Sequence, residues 1–462
     1  MNYRDFIEQT TNFPTKEFRV IDNELYFHDV RVLDVVEKYG TPLKMSYLPK
    51  ISENIKKAGI LFELAFKKNA YPGSYIYCYC TKSSHFKFVL ESALKAGAHI
   101  ETSSSFDIPL IRRLYENESL SKEIYIICNG FKQALYKQYI IELINEGFSN
   151  CIPVLDNMNE VHAYESGCNE AYPIGIRVAV DEPPGFAFYT SRLGIRYSDI
   201  LNYYQNHLKP NTRSILKILH FFVSTGIHDT LYFWQEFNKF VELYCELRKE
   251  CDSLTILDLG GGLPIKTSLN FEFDYEGIIS QLVRTIKDIC SSNHVPAPDI
   301  FTEFGSFTVG ESGAILYSIL ENKLQNDKEI WYMIDGSFIT QLPDSWSQNR
   351  KFILLPLNLW KGEYHRVNLG GLTCDSMDYY NTDIYAQDIY LPKIKTGESM
   401  IIGFFHTGAY QESLGGYGGI QHCLIPSPKH VLISKDAKGT IAMELFRDQE
   451  GPDTMLDILG YH

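Results

Sequence analysis

The 462-residue sequence contains no uninterrupted apolar run of the roughly 18 residues that a membrane-spanning helix needs. The first fifteen residues, MNYRDFIEQTTNFPT, carry early charges and no apolar core, unlike a secretory signal. Basic residues are in the minority: 43 Lys and Arg face 57 Asp and Glu, and the formal net charge is −14. We therefore expect a cytoplasmic protein without a nucleic-acid or membrane partner.

The ten cysteines are scattered and include no CxxC pair. This pattern is typical of reduced thiols, and it favours neither a disulfide framework nor a zinc site. The chain is too long for one ordinary domain, and 45% hydrophobic with 22% charged residues is normal for a globular enzyme.

Eight short runs of apolar, β-branched and aromatic residues recur every 20 to 45 residues or so, with helical patterns between most of them. The runs are YIYCYC (75–80), AHIE (98–101), YIICN (125–129), CIPVLD (151–156), IGIRVAV (174–180), ILKILHFF (215–222), TILDL (255–259) and DIFTE (299–303). This alternation predicts an α/β fold with a (β/α)₈ barrel over residues 41–310. Residues 311–462 read as strands joined by turns. They predict a C-terminal β domain, which residues 1–40 complete with the strand-like ELYFHDVRV.

The helical pattern after the first run has apolar residues at positions 86, 89, 90, 93 and 94. That spacing is typical of an amphipathic helix, for which we expect Ser84 as the N-terminal cap and Gly97 as the end.

Polar and glycine residues stand where the predicted strands end, which is where such barrels carry their active sites. They are Lys82, Glu101, Asn129, Arg177, His220, Gly260–Gly262 and Glu303. Any one of them alone is more often a solvated loop residue. Their joint occurrence at one mouth of a barrel favours an active site.

Lys82 follows the first strand directly, and a partly desolvated lysine can form a Schiff base with a carbonyl. The carbonyl could belong to an aldehyde substrate or to pyridoxal phosphate. The glycines of LDLGGGLP (257–264) let backbone N–H groups approach a phosphate, although a tight turn would use them equally well. Glu303 in TEFGSF is a candidate partner for a pyridine nitrogen, or for a salt bridge.

Two loops of the β region carry further candidates. GGLTCDSMDYY (370–380) places Cys374 beside Asp375, and a thiol there suits proton delivery to a carbanion, although cysteine is more often buried filler. HTGAYQESLGGYGG (406–419) offers Tyr410, whose phenol could hydrogen-bond a phosphate or simply pack.

In this order, the lysine, the glycines, Glu303, the Cys-Asp pair and the GAY loop resemble the fold-type III pyridoxal-phosphate decarboxylases. These enzymes share the alanine-racemase fold, and they include ornithine, diaminopimelate and biosynthetic arginine decarboxylases. YIICNGFK, FYTSRLGIR, IDGSFITQLPDSW and FFHTGAYQ are most similar to the arginine decarboxylases, and the resemblance spans most of the chain.

The resemblance implies pyridoxal 5′-phosphate as the cofactor, with Lys82 as its covalent anchor. Contacts to the cofactor are implied for Glu101, Arg177, Phe222, Thr225, Gly260, Gly261, Gly262, Glu303, Ser306 and Tyr410. Cys374 would reprotonate the α-carbon, and Asp344 and Asp375 would bind the cationic end of a small amino-acid substrate. No metal ligand is implied. In this family the Cys-Asp loop reaches the active site of a partner subunit, so the resemblance implies a homodimer or a higher assembly.

Three positions depart from the family pattern. LHFFVSTG has Phe222 where a histidine usually stacks on the cofactor ring, with His220 two residues earlier. EFGS has Ser306 where an arginine usually binds phosphate, and CTKSS lacks the asparagine that commonly follows the lysine. These departures bear on cofactor affinity and leave Lys82, Glu303 and Cys374 in place.

The implied activity is decarboxylation of a basic L-amino acid, with L-arginine to agmatine and carbon dioxide in polyamine biosynthesis as the first expectation. Citrulline, ornithine, lysine, carboxynorspermidine and diaminopimelate are alternative substrates. An inactive regulatory relative should lack the lysine or the cysteine, and both are present. A racemase of this fold would not need the Cys-Asp pair, and a cofactor-free aldolase would not need the glycines, Glu303 and Tyr410 together.

Overall fold

The computed structural model describes residues 15–183, 185–380, 388–411 and 422–461. They form two compact units. The barrel unit comprises residues 51–264 and 273–308, and the β unit comprises the described parts of 1–50, 265–272 and 309–462. In this division residues 41–50 and 265–272 belong to the β unit. Among the described residues, no helix is both long enough and apolar enough to cross a membrane.

The N-terminal part of the β unit begins with a three-stranded antiparallel sheet, in which the strand-like stretch ELYFHDVRV supplies the second and third strands. Its elements are β1 (Phe18–Ile21), β2 (Glu24–Phe27), β3 (Val30–Arg31), helix α1 (Val32–Tyr39) and strand β4 (Leu43–Tyr47). In β4 the side chains of Leu43, Met45 and Tyr47 are buried, and the residues between them are half-buried. That alternation is the period of a strand with one face on a core.

The eight predicted barrel strands are all present, which confirms the fold class. The eight strands are β5 (Tyr75–Cys80), β6 (His99–Thr102), β7 (Ile126–Cys128), β8 (Cys151–Leu155), β9 (Tyr172–Ala179), β11 (Ser214–His220), β12 (Ile256–Asp258) and β13 (Asp299–Glu303). A short additional strand, β10 (Ile195–Arg196), lies between β9 and β11 in the sequence. Apart from the short β10, which adds to β9, each strand pairs in parallel with the next along the chain. The pairings of β13 with β5 and of β8 with β9 close the barrel.

Helices fill the gaps between the barrel strands. They are α2 (Pro49–Asn69), α3 (Lys87–Lys95), α4 (Asp107–Glu116), α5 (Ala134–Asn145), α6 (Val161–Gly167), α7 (Tyr197–Tyr203), α8 (Leu231–Arg248) and α9 (Tyr275–Ser292). The expectation that Ser84 caps α3 is wrong: the helix begins at Lys87, and Phe86 is the N-cap without a side-chain hydrogen bond. Ser84 is buried and ends the short 3₁₀ turn that follows β5. Gly97, just beyond the helix, has a φ of 88°, the left-handed conformation typical of a helix end.

The barrel interior is filled by side chains, so the barrel is a packed core and not a pore. Its cluster of buried residues comprises Cys78, Ile127, Ile152, Val154, Ile218, Ile256 and Phe301. The polar residues described below stand one layer further along, at the carboxyl ends of the same strands. The packed layer therefore forms the floor of the candidate site.

The rest of the β unit is a ten-stranded sheet that also includes β4. Its further strands are β14 (Gly313–Leu324), β15 (Ile330–Ile334), β16 (Ile353–Pro356), β17 (Tyr364–Gly370), β18 (Tyr379–Tyr380), β19 (Ile389–Pro392), β20 (Ile401–Phe405), β21 (Lys429–Lys435) and β22 (Ile441–Arg447). The short helix α10 (Ser306–Val309) ends the barrel unit, and the β unit also contains the helices α11 (Phe338–Gln341), α12 (Pro343–Ser347) and α13 (Pro452–Ile458). Six runs of this region were predicted as strands: WYMID (331–335), KFILLPLN (351–358), HRVNL (365–369), DIYLP (388–392), MIIGFF (400–405) and TIAMELF (440–446). Each of them overlaps a strand, namely β15, β16, β17, β19, β20 and β22, whereas β4, β14, β18 and β21 were not predicted. Strand β4 pairs with both β14 and β21, so an N-terminal segment forms part of the middle of this sheet.

Candidate active site

Lys82 lies in a 3₁₀ turn, Thr81–Ser83, two residues beyond the end of β5. Its Nζ donates to Glu101 Oε2 at 2.6 Å, and Glu101 comes from the neighbouring strand β6. The Lys82 side chain is 42% exposed, whereas that of Glu101 is 0% exposed. The ammonium therefore stands at the rim of the barrel with a buried carboxylate beneath it.

Asn129 links two carboxylates across the mouth of the barrel. It follows β7, and its Nδ2 donates to Glu101 Oε1 at 3.1 Å and to Glu303 Oε1 at 2.6 Å. Glu303 is the last residue of β13, on the other side of β5. One amide thus holds acids from two strands that flank the lysine.

Glu303 has a second partner in His220, the last residue of β11, whose Nε2 lies 3.1 Å from Glu303 Oε2. Asp258 ends the intervening strand β12, and its Oδ1 accepts the N–H of Gly260 at 2.9 Å. Ligand atoms of His220, Asp258 and Glu303 all lie within 4.8 Å of one another, and all three side chains are buried.

The two buried acids differ in protonation. Burial raises the pKa of Asp258, and the nearby Glu303 carboxylate raises it further, well above its usual value. Burial acts in the same direction on Glu303, but His220 and then Lys82 outweigh it and lower the pKa of Glu303 to about 2. We therefore assign the negative charge to Glu303 and a proton to Asp258.

The three glycines after β12 are required by close approaches of backbone. A Cβ on Gly260 would lie 2.3 Å from the carbonyl oxygen of Phe221, and one on Gly261 would lie 2.6 Å from that of Glu303. A Cβ on Gly262 would lie 2.7 Å from the Cα of Gly226, in the Thr225 loop. The absence of side chains lets these loops meet at the mouth of the barrel, next to Glu303.

The remaining barrel candidates line the same end. The Arg177 guanidinium, from β9, lies 5.5 Å from the centre of the Phe222 ring, a cation–π contact. Thr225 is exposed in the loop after β11, and Ser306 opens the four-residue helix α10 just after β13. The structure therefore brings Lys82, Glu101 and Glu303 into one hydrogen-bonded group, with the glycines and Arg177 at neighbouring strand ends.

The Cys374 loop lies in the β unit and is organised by a buried acid. Asp378 Oδ2 accepts from the N–H and the hydroxyl of Thr373, and its Oδ1 accepts from the N–H of Phe338. Cys374 itself is exposed, and its Sγ lies 3.4 Å from Cys423 Sγ. That contact with Cys423 raises the pKa of Cys374, which favours the protonated thiol.

The two candidate substrate carboxylates lie in different surroundings. Asp344 is buried in α12, and its Oδ2 accepts from Arg350 Nη1 at 3.1 Å and from Gln411 Nε2 at 2.9 Å. Its Oδ1 is buried and has no hydrogen-bond partner among the described residues. Asp375 is partly exposed, and its Oδ2 lies 3.7 Å from His422 Nε2.

Tyr410 lies one residue before Gln411 and has a φ of 69°. A positive φ at a non-glycine residue is uncommon and costs conformational energy, so the surrounding structure must hold this loop in place. The last part of HTGAYQESLGGYGG, residues 412–419, lies outside the described residues.

Several residues of these groups were missed by sequence reasoning. Asp258 stands directly before LGGG at a strand end, and that position was the available signal. Asn129 and His220 were noted as strand-end residues without a role in the network. Arg350 and Cys423 gave no signal, because their partners lie in other segments of the chain.

Comparison with known proteins identifies the family. The model of the pyridoxal-dependent decarboxylase family, for its pyridoxal-binding domain, matches residues 57–310. Biosynthetic arginine decarboxylase from Prochlorococcus marinus (strain AS9601) is 22% identical, over 91% of this chain and 82% of its own length. The enzyme of the same name from Vibrio vulnificus (strain YJ016) is 21% identical, over 94% and 86%.

Solved structures share the fold. A crystal structure of the biosynthetic arginine decarboxylase from Campylobacter jejuni is similar, with a TM-score of 0.82 at 20% identity, over 97% of this chain and 90% of the other. A diaminopimelate decarboxylase from M. jannaschi has a TM-score of 0.79 at 18% identity, over 96% and 98%. The chain belongs to the pyridoxal-dependent decarboxylases, and it is an enzyme that uses pyridoxal phosphate to decarboxylate an amino acid.

The barrel mouth fits this cofactor. Buried polar atoms without a hydrogen-bond partner among the described residues gather there, namely Asn129 Oδ1, Arg177 Nε and His220 Nδ1. Buried polar groups are normally satisfied, so these atoms fit a polar ligand at the same place. The ionised Glu303 and the glycine loops are the charge and the space that a pyridinium and a phosphate need.

The assignment of the proton to Asp258 predicts an unusual pH effect of Asp258→Asn. The pKa of Asp258 is raised in the folded state, so its unfolded form ionises first as the pH rises. The wild-type protein therefore loses stability above the ordinary aspartate pKa of about 3.9. Asparagine keeps an acceptor for Gly260 N–H and cannot ionise. We expect Asp258→Asn to gain stability over wild type progressively from pH 5 to pH 8, as measured by urea unfolding of the holoenzyme.

Glu303→Gln is the matched control, since the folded pKa of Glu303 is lowered. The ionised Glu303 stabilises the wild-type protein in full above the unfolded pKa of about 4.3. The Glu303→Gln variant should therefore be less stable than wild type by a nearly constant amount between pH 5 and pH 8. An Asp258→Asn variant destabilised by about 1–3 kcal/mol at every pH would show that Asp258 is ionised and needed as an acceptor.

Proposed function

We propose that the protein decarboxylates L-arginine to agmatine and carbon dioxide, with Lys82 as the covalent anchor of pyridoxal phosphate. The observation that carries the choice of substrate is Asp344. This buried carboxylate already binds the guanidinium of Arg350 through one oxygen, and its other oxygen has no hydrogen-bond partner among the described residues. A carboxylate in these surroundings suits a second N–H donor of the same kind.

The barrel residues would prepare the cofactor. Glu101, 2.6 Å from Lys82 Nζ, is placed to hold or move a proton at that nitrogen. Glu303, kept ionised by His220 and oriented by Asn129, would hold a pyridine nitrogen in its protonated form. Arg177 would lie near the phenolic oxygen, and Phe222 would stack on the ring in place of the usual histidine. When bound, pyridoxal phosphate supplies the electron sink for the electron pair left by carbon dioxide.

The other groups would hold the phosphate and the substrate. The backbone N–H groups of Gly260, Gly261 and Gly262 would cradle the phosphate, with further contacts from Thr225, Ser306 and Tyr410. Asp375, which is partly exposed next to Cys374, would bind the guanidinium together with Asp344. Cys374 would give its proton to the α-carbon, a role supported by its raised pKa and its exposure.

We further propose that the enzyme is a homodimer with shared active sites, in which the Cys374 loop of one subunit completes the barrel site of its partner. A cytoplasmic location, suited to the buried free thiols, is part of the same proposal. The domain boundaries expected from the sequence are 41–310 for the barrel and 1–40 with 311–462 for the β domain. They remain a prediction, which limited proteolysis would test by the positions at which the chain is cut.

The substrate is tested by offering the holoenzyme arginine, ornithine, lysine, citrulline, carboxynorspermidine and diaminopimelate separately. Mass spectrometry identifies the product, and agmatine is the expected one. Citrulline is the matched control, because it replaces the charged guanidinium by a neutral ureido group of similar shape. Losing a charge-assisted hydrogen bond costs about 1.5–3 kcal/mol, so kcat/KM for citrulline should be lower by about 10- to 150-fold. A different amine as the main product would overturn the arginine assignment.

The shared site is tested by mixing two inactive variants, Lys82→Ala and Cys374→Ala. If subunits re-associate at random, half of the dimers are mixed, and each mixed dimer has one intact site. Activity should then recover to about a quarter of the wild-type value after subunit exchange. Recovery should fail when either variant is incubated alone. No recovery in mixtures whose mass spectra show mixed dimers would place both residues in the same subunit's site.

A further inference from the structure

Three metal-ligating side chains meet beside the Cys374 loop. Cys374 Sγ lies 3.4 Å from Cys423 Sγ, and Cys423 Sγ lies 3.1 Å from His422 Nδ1. All three donor atoms lie within 4.8 Å of one another. Two thiols and an imidazole form the donor set that Zn²⁺ and other thiophilic cations prefer.

A carboxylate is placed to support the histidine. Asp375 Oδ2 lies 3.7 Å from His422 Nε2, the ring nitrogen that does not contact Cys423. Metal-binding histidines commonly donate their second N–H to a carboxylate, which fixes the tautomer and orients the ring. A proton on Nε2 would face Asp375, which leaves Nδ1, 3.1 Å from Cys423 Sγ, available to a metal.

Two of the three donor separations are close to those of a tetrahedral zinc site, and the third, between Cys374 Sγ and His422, is within 4.8 Å. With Zn–S near 2.3 Å and Zn–N near 2.05 Å, tetrahedral angles give about 3.8 Å between the sulfurs and about 3.5 Å between sulfur and nitrogen. The separations of 3.4 Å and 3.1 Å need to widen by only about 0.4 Å. Cys374 and Cys423 are exposed and His422 is partly so, which leaves room for that movement.

A cation added to the folded protein would find few other thiols. The remaining eight cysteines are buried, whereas Cys374 and Cys423 are exposed. The exposed pair is also the one that has an imidazole in contact, at Cys423. Accessibility and donor geometry therefore single out the same group.

We propose that Cys374, His422 and Cys423 bind one Zn²⁺ ion, or a comparable thiophilic divalent cation, with Asp375 orienting His422. Binding replaces the two thiol protons by the metal: Zn²⁺ and two thiols give a dithiolate complex and two protons. A water molecule completes the fourth position.

The site bears on catalysis through Cys374, a consequence that rests on the proposed function. If Cys374 is the proton donor, a cation that takes its thiolate removes the proton and holds the loop in one position. Zn²⁺ would then be a reversible inhibitor, and a chelator would restore activity. Cys423 and His422 would govern this inhibition as the other two ligands of the cation.

Binding is measured without reference to activity. The reduced holoenzyme, freed of metal by chelation and kept in a non-thiol reductant, is titrated with Co²⁺ and then with Zn²⁺. We expect one Co²⁺ per chain with a thiolate-to-cobalt charge-transfer band, release of protons, and displacement by Zn²⁺. Cys423→Ser and His422→Ala should each weaken Zn²⁺ binding about tenfold or more. His162→Ala is the matched control, since His162 also pairs with a carboxylate, Glu165, at 2.9 Å and is exposed.

Activity forms a separate arm. Zn²⁺ should inhibit wild type and His162→Ala, whereas Cys423→Ser should lose most of the inhibition, with the activity of each protein expressed relative to its own metal-free activity. Metal binding by an enzyme that Zn²⁺ does not inhibit would support the site and contradict the role of Cys374 in the reaction. The absence of a charge-transfer band, or equal affinity in wild type and Cys423→Ser, would overturn the site. A Cys374–Cys423 disulfide in the untreated protein, with no metal binding after reduction, would also overturn it.

Discussion

The candidate active site depends on one hydrogen-bonded chain that crosses the mouth of the barrel. Asn129 binds Glu101 and Glu303 at once, Glu101 binds Lys82, and Glu303 binds His220. These residues come from five strand ends, and four of them are buried. Buried charges are costly unless they are paired, so the chain fixes both the position and the charge of each group. A lysine at the rim and an ionised acid in the interior are what a covalently bound pyridinium cofactor requires of a protein.

The packing around this chain explains two other features of the sequence. The three glycines allow neighbouring loops to approach within distances that a Cβ would block, with Phe221 and Glu303 as the nearest obstacles. Asp258 ends the strand between those of His220 and Glu303, and it carries a proton, since Glu303 already holds the negative charge of the pair. Ordinary stability would favour an apolar side chain at such a place. A protonated acid there is consistent with a site tuned for charge rather than for packing.

The sequence predicted the barrel well because its strands are short apolar runs separated by amphipathic helices, and local periodicity reports both. The strand ends identified Lys82, Glu101 and Glu303 for the same reason, since parallel strands end at one edge. The β unit was predicted less completely. Strand β4 pairs with β14 and β21, and pairing between segments so distant in sequence leaves no local pattern. The group of Cys374, His422 and Cys423 shows the same limit, because it joins two segments whose cysteines lack any metal-binding spacing.

The central claim is that Lys82 carries the cofactor, and chemical trapping tests it most directly. Sodium borohydride reduces a lysine-bound imine to a stable amine, and peptide mass spectrometry of the digested holoenzyme then locates the phosphopyridoxyl group. The account predicts a single modified residue, Lys82, in the peptide that follows YIYCYC, and loss of the visible absorbance on reduction. A modification on another lysine, or a holoenzyme that keeps its cofactor unreduced, would contradict the account.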